Sequence, residues 1–214
     1  MMQFELLGWP AEGPTLALDY RRFSYAGKFV MSATGKAVVR EAGAGDAAPA
    51  EHDADTLADH GGADTRDVVA AAAFDADRTD ETVCRIRYIT VREDRRGEGI
   101  GPRLAAFVAE RARERGFERA RIAVNNPFAY QALYRAGFHF TGDETGVAEL
   151  VLDRPLEDDA RQVADRSRER YQAGLDRYRE RDRSPDEPDL STDERTFLDE
   201  KRGADPPAPV ALET

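Results

Sequence analysis

Apolar and polar positions alternate with different periods along this chain, and the period predicts the elements. "MQFELLGW" and "TLALDYRRFSYAGKFVM" read as strand material interrupted by aromatics, with "SATGK" as a turn into "AVVRE", so the simplest expectation is a two-strand hairpin. "DVVAAAAF" and "TVCRIRYITV" are continuous apolar runs joined by the polar "DADRTDE", which predicts two adjacent antiparallel strands. After "RRGEGIG" the period changes. Leu104, Phe107, Val108 and Ala112 recur at helical spacing while Glu110, Arg111, Arg113, Glu114 and Arg115 face mostly outward, and Gly116 suits the end of that helix. "RARIAV" then reads as a strand, "FAYQALYRA" as a short helix ended by Gly137, and "FHF" and "VAELVL" as final strands. His139, between two phenylalanines, fits a structural, polar-facing strand residue.

Outside this periodic region the pattern weakens. Residues 42–66 hold almost no large apolar side chain and cannot bury enough surface to offset their ordering entropy, which predicts an acidic surface loop. Its His52 and His60 stand among Asp53, Asp55 and Asp59, and the solvated-loop reading is preferred to a metal site. Residues 156–183 read as a highly charged helix. Its sparse larger apolar positions, Val163, Tyr171, Leu175 and Tyr178, suit a stripe that docks on the domain or on a second copy as a homodimer. Ser191 to Glu194 forms a capping box for one more short helix within an acidic, largely disordered tail, 184–214. The domain itself is expected over 1–155.

Composition narrows the function. A net charge of −11 over 214 residues argues against sequence-independent nucleic-acid binding. There are three lysines and 31 basic residues in all, and this acidic, Arg-over-Lys, Ala-rich balance resembles the proteomes of salt-loving organisms, pointing to a halophilic archaeon. The one cysteine, Cys84, permits no intrachain disulfide or Cys-cluster metal site, and its strand-like setting suits a buried thiol. No apolar stretch approaches the roughly 20 residues of a membrane span, and the N-terminus lacks the order of a signal peptide, so a cytoplasmic location is expected.

Three glycines between a strand and a helix call for a physical reason. First-turn amides have no intrahelical partner, the helix dipole adds positive charge, and glycine lets a ligand come close, so residues 96–102 suit a phosphate. A dinucleotide loop fits poorly because Pro102 occupies the third glycine position and the preceding strands look antiparallel. A nucleotide-triphosphate loop at "TGKA" fits worse, since Val30 stands where its first glycine belongs.

"YITVREDRRGEGIGPRL" and "VNNPFAYQALYRAGF" together resemble the two signatures of the GCN5-related N-acetyltransferase (GNAT) family. The first supplies Arg96, Gly99 and Gly101 in an Arg-x-x-Gly-x-Gly turn. The second supplies an Asn after a strand and, for that signature's Leu-Tyr-x-x-x-Gly-Phe helix end, Leu133, Tyr134, Gly137 and Phe138. The resemblance covers about 68–153, with the motifs inside 84–153. It implies an α+β, three-layer fold whose mixed, mainly antiparallel central sheet is flanked by helices.

It also implies acetyl-CoA as co-substrate, with no metal, and transfer of acetyl to a primary amine on a small molecule or peptide by direct attack. Val91, Arg96, Gly97, Gly99, Ile100, Gly101, Pro102 and Asn126 would bind the cofactor, a backbone N–H near Val91 would face the thioester carbonyl, and Tyr134 would be the general acid for the leaving thiolate. Asn126 stands one place early, because Pro127 occupies the position seven before Tyr134, so Asn125 and Asn126 both remain candidates. No carboxylate occupies the family's usual base position on the strand 83–91. Asp75, Glu93, Asp94 or water are the alternatives. That gap leaves open a second reading, a non-catalytic CoA-binding regulatory module.

Overall fold

The computed structural model describes residues 1–11, 13–30, 34–41, 64–157, 166–182 and 190–210. Most of the expected loop 42–66, with His52 and His60, and also Val163, lie outside the described residues.

Seven strands form one mixed sheet. They are β1 (Met2–Gly8), β2 (Gly35–Glu41), β3 (Val68–Ala76), β4 (Val83–Val91), β5 (Arg119–Val124), β6 (His139–Glu144) and β7 (Leu150–Pro155), in the spatial order β1-β2-β3-β4-β5-β7-β6. All neighbours are antiparallel except β4 and β5. The helices are α1 (Gly27–Val30), α2 (Ile100–Glu114), α3 (Pro127–Arg135), α4 (Arg168–Arg181) and α5 (Thr192–Glu200). The α+β architecture follows from this order, with the one parallel pair connected through α2. Among the described residues no helix is long and apolar enough to cross a membrane.

Strand alternation divides the core in two. Ala37, Val39, Ala70, Ala72, Phe74 and Ile86 join α2, α3 and the C-terminal helices in the larger cluster. Val38, Val68, Ala71 and Ala73 face the other way, against Leu16, Leu18, Phe23 and Phe29. The four consecutive alanines of β3 are wholly buried, and Ala105, Ala106, Ala109 and Ala112 of α2 are buried with them, so the helix can lie close to the sheet.

Two expectations are corrected. The hairpin across "SATGK" does not form: β2 pairs with β1, and "TLALDYRRFSYAGKFV" packs across the sheet with a single helical turn in it. Its apolar residues cover a face of β2 and β3 that would otherwise be exposed, and that burial prevails over local strand pattern. The C-terminal stretch expected to be disordered is, over 190–210, packed on the domain. Leu198 is buried in the main core, and the Val210 N–H donates to the Arg135 carbonyl. The stripe Tyr171, Leu175 and Tyr178 is fully buried in the same core, so it docks on its own domain. The capping box at Ser191 and Glu194 forms as expected.

Candidate active site

A β-bulge opens the sheet. Ala73 pairs with Tyr88 and Phe74 with Ile86, which leaves Arg87 as an extra residue on β4. Parallel pairing with β5 runs from Val83↔Arg119 only to Ile86↔Ile122, although β4 continues to Val91 and β5 to Val124. Beyond the bulge the two strands part, and a cavity of about 280 Å³ lies between them, lined by Tyr88, Ile89, Ile122, Ala123 and Val124.

That cavity adjoins a larger one, about 560 Å³, around the glycine loop, and the two share Tyr25, Ile89, Gly101, Pro102, Asn126, Ala129 and Ala132. The loop starts with a 3₁₀ turn, Glu93–Arg95, held by ion pairs from Arg95 to Glu98 and Glu41. Gly97 and Gly99 have φ of 86° and 76°, a region where an L side chain is strained, so glycine is required there. At Gly101 a Cβ would come to 3.4 Å from Val91 Cγ2, so the start of α2 lies in contact range of the end of β4. Pro102 falls in the first helical turn, where a missing N–H leaves no bond unmade. Arg96 reaches back, its Nη2 2.9 Å from Ser24 Oγ and its Nε 3.4 Å from the Val91 carbonyl. Val91, Arg96, Gly97, Gly99, Ile100, Gly101 and Pro102 therefore all line the larger cavity.

Asn126 caps α3: its Oδ1 accepts from the Ala129 N–H at 2.8 Å, and Pro127 follows at the first helical position. Asn126 lines both cavities, while Asn125 lines the smaller one and accepts from Asn126 Nδ2 at 3.3 Å.

Tyr134 is placed elsewhere. It is fully buried and lines neither cavity; its hydroxyl accepts from the Phe140 N–H at 3.0 Å, and its ring packs against Tyr130 and Tyr171. Burial raises its pKa. Its neighbour Leu133, with Ala129 and Ala132 of the same helix, lines the smaller cavity. One position on a helix is 100° of rotation, enough to turn a side chain from cleft to core. The spacing could have shown this: Leu133 is the residue seven after Asn126, and only Arg135 and Ala136 separate Tyr134 from Gly137, one fewer than the signature has.

The carboxylates considered as bases also fall away from the cleft. Asp75 pairs with Arg87 on the sheet face, and burial raises its pKa; Asp94 is bonded to Arg92, which lowers its own. Neither these nor Glu93 line either cavity. Cys84 is buried, its thiol pushed up to about 12 chiefly by desolvation, consistent with a structural role. The charged and aromatic residues of the smaller cavity, Tyr25, Arg87, Tyr88 and Glu149, escaped the sequence reading. They come from distant segments, and only the strand order brings them together.

Among solved structures, nourseothricin acetyltransferase is 20% identical with a TM-score of 0.42, the match covering 58% of this chain and 66% of that one. An IAA acetyltransferase from Bacillus cereus ATCC 14579 is 18% identical with a TM-score of 0.47, covering 73% and 100%. yncA, a putative acetyltransferase from Salmonella typhimurium with its cofactor acetyl-CoA, is 15% identical with a TM-score of 0.42, covering 58% and 66%. No curated protein sequence matches. The family model described as "Acetyltransferase (GNAT) family" matches residues 39–138, a segment that contains the bulged strand, the glycine loop and α3. That segment carries the chain's likeness to the GNAT acetyltransferase family.

Proposed function

We propose that this protein is an N-acetyltransferase that moves an acetyl group from acetyl-CoA to a primary amine by direct attack. The observation that carries the reading is a continuous cleft with a glycine-rich helix start at one end and splayed strands at the other, inside the family segment. The amides of residues 97–101 and the α2 dipole suit a pyrophosphate, with Arg96 adding charge. The edges of β4 and β5, unpaired beyond Ile86↔Ile122, offer backbone groups to an extended amide-bearing arm, and an N–H near Val91 is assigned to the thioester carbonyl.

When bound, acetyl-CoA supplies an activated acyl carbon. The acceptor nitrogen forms the C–N bond as the C–S bond breaks. Of the two protons leaving an ammonium, one passes to solvent and one ends on sulfur. Tyr134 cannot hand over that second proton from its place in the core, so water takes the role in this reading.

The enclosed position of Tyr134 also favours the second reading, a CoA-binding module without catalysis. Release of CoA thiol on mixing the protein with acetyl-CoA and a panel of amines separates the two. Amine-dependent release establishes the transferase, whereas CoA binding by calorimetry without release establishes the module. The acidic, arginine-rich composition supports a salt-adapted protein; a melting temperature flat from 0.05 M to 2 M salt would overturn that part.

A further inference from the structure

The smaller cavity carries, among the residues it does not share with the one around the glycine loop, one group of each charge. Arg87, the bulged residue of β4, lines it from one side, and Glu149, just before β7, lines it from the other. β5 lies between those strands, so their backbones are separated by at least about 10 Å, twice the spacing of neighbouring strands. An arginine, a glutamate and a compact molecule between them span such a gap.

Both groups are positioned by local structure. Arg87 Nη1 is 3.3 Å from Asp75 Oδ2, which anchors one edge of the guanidinium and leaves a planar fork suited to a carboxylate. Glu149 is presented by a closed turn: its N–H donates to Thr145 Oγ1 at 3.1 Å, and its carbonyl accepts from the Thr145 N–H at 2.9 Å. Among the described residues two non-glycines have positive φ. One is Ala148 (58°), directly before Glu149, and the other is Tyr25 (61°), which lines both cavities. Such strain tends to collect where a side chain must be aimed. Tyr25 stands 6.4 Å from Tyr88, centroid to centroid, giving the site an aromatic wall, and Lys28 Nζ lies 5.9 Å from the centre of the Tyr88 ring, adding positive charge there.

We infer that this part of the cleft is the acceptor site and that it takes an amino acid, with Glu149 holding the ammonium and Arg87 the carboxylate. This rests on the acetyltransferase reading. A cavity of about 280 Å³ shared with the thioester end suits a small acceptor better than a folded protein or a large polycation. Neither charge alone would select it: a carboxylate alone favours any amine, and an arginine alone any acid.

The test measures thiol release with free amino acids, their amides and the corresponding decarboxylated amines, alongside calorimetric titration with CoA. The free acids should be preferred over the amides and amines by roughly tenfold or more in kcat/KM, the effect of one charge-assisted hydrogen bond. Arg87→Gln should abolish the preference and Arg87→Lys retain part of it. Glu149→Gln, at a partly exposed turn, should raise KM for every acceptor by a similar factor. Equal use of amides and amines, or a preference that survives Arg87→Gln, overturns the inference while CoA binding leaves the family reading standing. Absence of CoA binding would overturn both.

Discussion

α2 and α3 begin at the same cleft but serve it by different means. α2 offers backbone: Gly97 and Gly99 take positive φ, Gly101 allows close approach to Val91, and the first-turn amides point outward. α3 offers side chains: Asn126 caps it, Leu133 faces the cleft and Tyr134 faces the core. A site made of backbone depends on conformation and changes little with side-chain identity, provided glycine is kept. A site made of side chains depends on helical phase, and a shift of one residue replaces a phenol by an isobutyl group.

The largest expected effect tests the backbone half. Gly99→Glu puts a strained side chain and a negative charge at the loop and should weaken CoA affinity by roughly a hundredfold or more in a folded protein, read by calorimetry. Unchanged affinity would move the phosphate site elsewhere. The next test restores phase. Leu133→Tyr places a phenol at the cleft, and if thiolate protonation limits turnover, kcat should rise, by up to about tenfold, less than the range for an optimised acid. A kcat that stays flat or falls while CoA affinity holds would show that protonation of the thiolate by a residue at this position does not limit turnover.

The third prediction concerns the tyrosine now in the core. Tyr134→Phe should leave kcat within about threefold but cost about 1–3 kcal/mol of stability, because the buried Phe140 N–H loses its acceptor. Denaturant unfolding and steady-state rates together check it; a large fall in kcat with unchanged stability would return Tyr134 to catalysis. Smallest is the cap. Asn126→Ala should cost about 1 kcal/mol through the lost bond to Ala129, with a modest loss of CoA affinity. Asn125→Ala, removing a cavity-facing group that caps nothing, should leave stability unchanged.

How legible each part was follows from the same contrast. β3, β4, α2 and β5 announce themselves by period, and the glycine loop by residue type, because each depends on short-range order. The segment 14–30 looked like strands because aromatic and branched residues suit a strand and a covering layer equally, and only the exposed face of β2 and β3 decides between them. Tyr134 was misplaced because a recognised signature outweighed its own spacing. Arg87 and Glu149 carried no local signal at all. The first depends on where β3 and β4 lose register and the second on β7 lying beside β5.

The docked C-terminus has a consequence for how the chain is made. Tyr130 donates its hydroxyl to the Tyr171 carbonyl at 3.0 Å, and a Cβ at Gly174 would meet that hydroxyl, so α4 fits against α3 with no room for a larger residue. Arg166 adds bonds to the carbonyls of Tyr134 and Phe138. While the ribosome is still adding residues beyond α3, two large tyrosines wait without their cover. The sheet and its cleft reach their final packing only once α4 has been made, and a chain released before α4 leaves that core open to chaperones and proteases.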